Sequence, residues 1–265
     1  MSVNNFDIKP SIKLNNNINM PILGLGTWSM NNKKLIQAVN WALEAGYRHF
    51  DSARYYKNEK ALGKVIRNSS YSREELFVTT KVWPQDFGYN ETLKAFDASF
   101  DDLNIEYVNQ YLIHWPSDDS RTHESWKALS DIYKEGKVKT IGVSNFSITD
   151  LERLKEISDI IPATNQIKFH PFCFDPEILE YCKRENIAIV SYSPLSEGRK
   201  LKNPKLIEIA TQYDKTPAQI MLRWGIQHNT ITIPKSSNKD RIIENASIFD
   251  FEISNTHMDE LNSLS

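Results

Sequence analysis

The stretch "GLGTWS", residues 24–29, decides between two ways of building an α/β protein. It follows a short apolar run and precedes an amphipathic one, where an open parallel sheet carries its dinucleotide-binding turn. That turn needs three glycines: one for the bend, one to let backbone approach a pyrophosphate, one for close helix packing. Here Gly24 and Gly26 are present and Ser29 occupies the third place. Two glycines of three do not establish the open fold.

Outward from that stretch, short β-branched or aromatic runs recur eight times: "ILGLGT", "RHFDSA", "LFVTTKVW", "VNQYLIHW", "VKTIGVSN", "ATNQIKFH", "AIVSYSPL" and "TITIPKS". Each is followed by a segment with apolar residues three and four apart, the period of a helix buried on one face. The spacing predicts helices over 33–46, 91–103, 148–157 and 175–187, and a long helical region over about 204–228, broken at Pro217. Strands alternating with helices pair in parallel. Eight such units in about 240 residues, with no linker between them, point to a (β/α)8 TIM barrel. The expectation is one domain over residues 1–265. "SIKLNNNINMP" (11–21) should form an N-terminal β-hairpin at the barrel bottom, turning on its asparagines.

Composition limits the function classes. Forty per cent hydrophobic and 25% charged residues are ordinary for a soluble protein, and a net charge of −2 favours neither nucleic acid nor an anionic membrane. Cys173 and Cys182 match no metal or redox spacing and read as reduced thiols. The polar N-terminus lacks an apolar signal region, and no apolar run has the ~20 residues of a membrane span. A cytoplasmic chain is the expectation.

In such barrels chemistry sits at the C-terminal ends of the strands. Reading those ends collects Gly26, Thr27, Trp28, Asp51, Lys81, His114, Ser144, Asn145, Gln166, Tyr192 and Lys235. Period-two alternation turns Asp51, Lys81, His114 and Gln166 inward, because Phe50, Val82 and Ile113 between them are apolar. Tyr56 follows in "DSARYYKNE" (51–59) and completes a titratable cluster. Singly, each member has a bland explanation: Asp51 as a helix cap, Tyr56 as a loop aromatic, Lys81 in a structural ion pair, His114 in the core. Their convergence favours a site.

Moving a tyrosine from pKa ~10 to 7–8 takes two or three units of about 1.36 kcal/mol each. An ammonium ~4 Å away supplies about 4 kcal/mol at an effective dielectric of ~20. Lys81 is therefore expected to lower the pKa of Tyr56, and Asp51 to keep Lys81 charged. A tyrosine so tuned can protonate a carbonyl oxygen held by His114. The carbonyl carbon then needs a hydride, which no side chain supplies and a nicotinamide does. Ser144, Asn145 and Gln166 offer groups for its carboxamide, and Tyr192 a flat face for its ring. "IPKSSNKDRIIEN" (233–245) sets Lys235 and Arg241 beside a helix N-terminus, with Ser237 as the expected cap, an arrangement suited to a phosphate.

Eight segments together resemble the aldo-keto reductases over about residues 11–262: "MPILGLGTW", "DSARYYKNE", "VTTKVW", "YLIHWP", "GVSNF", "NQIKFHP", "SYSPL" and "IPKSSNKDRIIEN". The resemblance implies NADPH-dependent, metal-free reduction of an aldehyde or ketone by a monomer. Tyr56 would be the general acid, supported by Asp51, Lys81 and His114. Gly26 and Thr27 would border the cofactor. Ser144, Asn145 and Gln166 would hold its carboxamide, Tyr192 its ring, and Ser193 and Leu195 its pyrophosphate. Lys235, Ser236 and Arg241 would take the 2′-phosphate, with Glu244 and Asn245 near the adenine.

The chain departs from the family pattern at Lys168, usually Glu, which alternation also turns inward, and at Ser196, usually Gly. A short loop "WPSDDSRTHESW" (115–126) and a short C-terminus imply an open pocket lined by Trp28, Trp83 and Trp115, with Phe87 a further candidate. Two other readings compete: a cofactor-binding regulatory subunit without useful turnover, and an aldolase-type barrel with Lys81 as a Schiff-base lysine.

Overall fold

A computed structural model describes residues 10–117 and 120–265. The reading of residues 1–9 as lacking a leader lies outside the described residues, as do positions 118–119 of the loop after His114.

The chain opens with an antiparallel hairpin, β1 (Ser11–Lys13) and β2 (Asn19–Pro21), turning at Asn17 in the left-handed region (φ 69°). Eight parallel strands follow: β3 (Gly24–Gly26), β4 (His49–Asp51), β5 (Phe77–Val82), β6 (Val108–Ile113), β7 (Val138–Ser144), β8 (Thr164–Lys168), β9 (Ala188–Tyr192) and β10 (Ile231–Thr232). They hydrogen-bond in chain order. A parallel bridge from Leu23 to Thr232 and the bond from Gly26 N to Pro234 O (3.2 Å) join the last strand to the first. The result is the expected (β/α)8 barrel.

The two glycines that opened the question stand at this seam. A Cβ on Gly24 would lie 2.4 Å from the His49 imidazole, and one on Gly26 would lie 2.9 Å from Ile233 O. They allow close approach inside the barrel, which is a packing requirement unrelated to a phosphate turn.

Helices wrap the outside: α1 (Asn32–Glu44), α2 (Glu59–Arg67), α3 (Tyr89–Leu103), α4 (Arg121–Lys134), α5 (Ile148–Ile157) and α6 (Pro176–Arg184). The region expected as one broken helix is two, α7 (Pro204–Gln212) and α8 (Pro217–Gln227), with Pro217 in the first turn of α8 and Thr216 capping it. Proline is tolerated there because its missing N–H would have no partner anyway. The remaining helices are α9 (Lys239–Ala246) and α10 (Asn255–Asn262). Helix α1 is representative: Asn31 accepts from Lys34 N, and Leu35, Ala38, Val39, Ala42 and Leu43 form its buried stripe. Each large apolar side chain buried in this layer contributes roughly 1.5–3 kcal/mol.

The hairpin closes the N-terminal face, as expected. Asn16 Nδ2 donates to Lys139 O (2.9 Å) and Asn15 Nδ2 to Pro162 O (3.2 Å), while Leu14 and Met20 pack on Phe77, Val190 and Ile231. Above this plug the interior is polar: Gln110 Nε2 donates to Thr164 Oγ1 (3.0 Å), and both residues are fully buried.

Gly63 on α2 shows how tightly the outer layer packs. A Cβ there would lie 1.9 Å from Leu103 O at the end of α3. Alanine ordinarily favours a helix by up to about 1 kcal/mol over glycine. Here the clash is with backbone, so Gly63→Ala should lower stability by about 1–3 kcal/mol. A urea midpoint at or above that of the wild type would contradict this packing.

Candidate active site

Asp51 ends β4, Lys81 stands in β5 and His114 directly follows β6, so three adjacent strands deliver them to the C-terminal mouth. Tyr56 comes from a single 3-10 turn, Arg54–Tyr56, closed by Lys57 in the left-handed region (φ 54°). Lys81 is fully buried, and its Nζ donates to Asp51 Oδ1 (2.6 Å) and Ser52 O (2.7 Å). The other Asp51 oxygen accepts from Gln166 Nε2 at 2.8 Å. The Tyr56 hydroxyl lies 3.5 Å from His114 Nε2, and Lys81 Nζ lies 5.2 Å from the Tyr56 ring centroid. All four residues expected to cluster do so.

Their electrostatics differ from the expectation in one respect. Burial holds the Tyr56 phenol well above its ordinary pKa, with Asp51 and Tyr192 adding to the shift. The expected lowering by Lys81 does not prevail. Desolvation dominates at Tyr56, and Lys81 itself is pulled down by burial against the opposing pull of Asp51. Tyr56 is therefore protonated, the state a proton donor needs. His114 is pushed down to about 2 by burial and by Lys81, so its imidazole is neutral.

From this cluster a cleft of about 910 Å³ runs over the barrel mouth to α9. Trp28, Trp83 and Trp115 line the outer wall, Trp28 54% exposed and Trp115 43%. Tyr55, beside the catalytic candidate, stacks on Trp83 at 4.0 Å, and Trp83 meets His114 edge-on at 5.0 Å. Gly26, Ser144, Asn145, Gln166 and Tyr192 line the middle. Asn145, left-handed (φ 63°), donates to His114 O (3.1 Å) and accepts from Tyr192 OH (2.8 Å), which places carboxamide and phenol side by side. Ser193 and Leu195 follow in the loop after β9. Lys235, Ser236, Arg241, Glu244 and Asn245 line the far end. Lys235 and Arg241 sit at the N-terminal end of α9, where the helix dipole disfavours cations and favours an anion between them.

The Aldo/keto reductase family model matches residues 22–265. The chain belongs to that family. It is 45% identical over 258 residues to glyoxal reductase from Bacillus subtilis, covering 97% of this chain and 93% of that one. A crystal structure of an aldo/keto reductase from Brucella melitensis superposes with a TM-score of 0.93 at 44% identity, covering 97% of this chain and 99% of that one. An aldo-keto reductase solved in complex with NADPH gives 0.92 at 33%, covering 97% and 88%.

Several expectations for this aldo-keto reductase need correction. Lys168 is solvent-exposed and does not line the cleft, because β8 has risen clear of the interior by its last residue. Phe87 is buried in the outer core (2% exposed) and forms no part of the pocket. The cap of α9 is Asn238, accepting from Arg241 N, in place of Ser237. Thr27 is fully buried behind the wall, its hydroxyl donating to Asp51 O (2.9 Å). Lys81 likewise lies beneath the cleft surface, which disfavours a Schiff-base role. Ser196, where the resemblance leads to an expected Gly, adopts φ 48° beside left-handed Ser193, Glu197 and Gly198, so this loop carries residues in a conformation that costs roughly 1–2 kcal/mol each outside glycine. Sequence reasoning missed Tyr55 and Ser29, both of which line the cleft. An exposed aromatic beside Tyr56 was the available signal for the first.

Three buried histidines shape the pH response. Burial lowers His49 and His170 to about 4, and His114 to about 2, from 6.5. Between 6.5 and its lowered folded value each takes up a proton only on unfolding, so the unfolded state binds more protons and stability falls as the pH falls. The slope should be about 1.4 kcal/mol per pH unit for each histidine between 6.5 and 4. Glu59, whose carboxyl burial pushes up, opposes this as a single group. A urea midpoint that rises on acidification over that range would contradict the neutral burial of these rings.

Proposed function

We propose that this aldo-keto reductase reduces aldehydes or ketones to alcohols with NADPH, using Tyr56 as the general acid. One observation carries the reading: the Tyr56 hydroxyl, kept protonated, stands beside a neutral His114 imidazole (3.5 Å) at the inner end of a cleft whose outer end is cationic.

The donor set fits a nicotinamide dinucleotide. Ser144, Asn145 and Gln166 would hold the carboxamide and Tyr192 would support the ring. Gly26, Ser193 and Leu195 would border the middle of the molecule, with Thr27 buried behind them. Lys235, Ser236 and Arg241 would take the 2′-phosphate, with Glu244 and Asn245 beside the adenine. When bound, NADPH supplies the hydride that no side chain can provide.

The protein's own residues handle the proton and the charge. The carbonyl oxygen would be held by Tyr56 Oη and His114 Nε2, with the carbonyl carbon turned to the nicotinamide ring that Tyr192 would support. Negative charge grows on that oxygen as the carbonyl bond is reduced, and Tyr56 transfers its proton to it. The tyrosinate left behind faces the Lys81 ammonium, whose nitrogen lies 5.2 Å from the Tyr56 ring centroid, until solvent restores the proton. Asp51 fixes Lys81 for that task and, through Gln166, ties it to the carboxamide side of the cleft. The Trp28, Trp83 and Trp115 wall excludes water from one side and leaves the mouth open to small carbonyl compounds.

The cofactor preference has a direct test. Arg241→Ala should weaken NADPH binding about tenfold or more, the loss of roughly 1.5–3 kcal/mol for a hydrogen bond to a charged group, and leave NADH binding nearly unchanged. Equal affinities for the two cofactors in the wild type would defeat the assignment of Lys235 and Arg241.

A further inference from the structure

Asn58 occupies the N-cap position of α2, where an asparagine ordinarily accepts from amides of the first turn. It makes no such bond. Its carboxamide is buried (1% exposed) and turns towards the barrel mouth. Oδ1 accepts from Ser52 Oγ at 2.7 Å, and Nδ2 donates to Thr27 O at 3.1 Å and Met30 O at 3.2 Å. Ser52 directly follows Asp51. Thr27 and Met30 bracket Trp28 and Ser29, the outer wall of the cleft.

These bonds complete a closed circuit. Lys81 Nζ donates to Ser52 O and to Asp51 Oδ1 (2.7 and 2.6 Å). Thr27 donates to Asp51 O through both N (3.0 Å) and Oγ1 (2.9 Å). Asn58 links Thr27 to Ser52 and so shuts the ring around the buried ion pair. It also stands two residues beyond Tyr56, joined to it by left-handed Lys57. Among the described residues, the backbone bonds of the turn bearing Tyr56 are local, Tyr56 N to Ala53 O and Lys57 N to Arg54 O. A cap forgone at a helix start, and an amide with every group committed to the mouth loops, mark a side chain placed for the site.

We propose that Asn58 is a positioning residue for proton transfer: it fixes the Tyr56 turn in register with the Asp51–Lys81 pair and with the loop that carries Trp28. The inference rests on the reading of Tyr56 as the acid. Asn58 touches no reacting atom; it acts through Tyr56. A displacement of about 1 Å at a proton donor can cost as much as a hundredfold in rate.

The test compares wild type, Asn58→Ala, Asn58→Asp, Ser52→Ala and Tyr56→Phe in NADPH-dependent reduction of a small aldehyde, with cofactor affinity read by fluorescence titration. Asn58→Ala should lower kcat by about ten- to a hundredfold with NADPH affinity within about threefold of wild type. Asn58→Asp keeps the shape but turns a carboxylate on two carbonyl oxygens. It should lose similarly at neutral pH and regain several-fold relative to wild type as acidification restores a donor, a pH signature that a purely structural staple would not produce. Ser52→Ala, which removes one partner, should lose less, and with Asn58→Asp it decides the matter if Asn58→Ala does not fold. A kcat within about threefold of wild type in both Asn58 variants, beside an inactive Tyr56→Phe, would overturn the inference alone. Full turnover by Tyr56→Phe would overturn the reading of the acid and this inference with it.

Discussion

Tyr56→Phe should reduce kcat for carbonyl reduction by roughly 10²–10⁴-fold, the usual contribution of a positioned general acid, and leave NADPH affinity within about twofold. The phenylalanine keeps the ring that meets His114 edge-on at 5.6 Å and removes only the hydroxyl. His114 cannot take over the donor role at ordinary pH, because burial and Lys81 keep it neutral down to about 2. A Phe variant with wild-type kcat would remove Tyr56 from the chemistry altogether.

The second large effect concerns the pair beneath it. Asp51 and Lys81 are buried to 2% and 0% exposure and bonded at 2.6 Å. Removing one partner of such a pair leaves an uncompensated charge, so Asp51→Asn or Lys81→Met should each cost about 3–5 kcal/mol of stability. The double variant should recover much of that loss, since a neutral pair of similar volume strands no charge. It should not recover activity, because the cation facing the tyrosinate is gone. Urea midpoints of the four proteins test the coupling. Additive losses would mean that the two groups do not depend on each other.

How much of this was legible in the sequence follows from where each signal lies. Barrel strands buried on both faces read as runs rich in apolar and β-branched residues, so "LFVTTKVW" and "VNQYLIHW" marked β5 and β6 directly. Asp51, Lys81 and His114 were legible because strand ends converge in this architecture whatever the loops do. Alternation failed at Lys168, since a period-two pattern does not say where a strand leaves the interior. The pKa of Tyr56 was misjudged because Coulomb attraction can be guessed from neighbours in a motif, whereas desolvation depends on how deeply the fold buries the ring. Asn58 carried no signal in the sequence, where Asp51 was the residue weighed as a helix cap, and only coordinates show its amide turned towards the mouth loops. The cap of α9 slipped by one residue, as Ser237 and Asn238 are equally good acceptors on paper.

Following NADPH consumption by the wild-type protein with a panel of small aldehydes and dicarbonyls is the decisive measurement of carbonyl reduction. The wild type should oxidise the cofactor with saturable dependence on the carbonyl compound and form one alcohol per NADPH consumed. Tight NADPH binding, seen as quenching of tryptophan fluorescence, with no consumption for any carbonyl in the panel would contradict the proposed reduction.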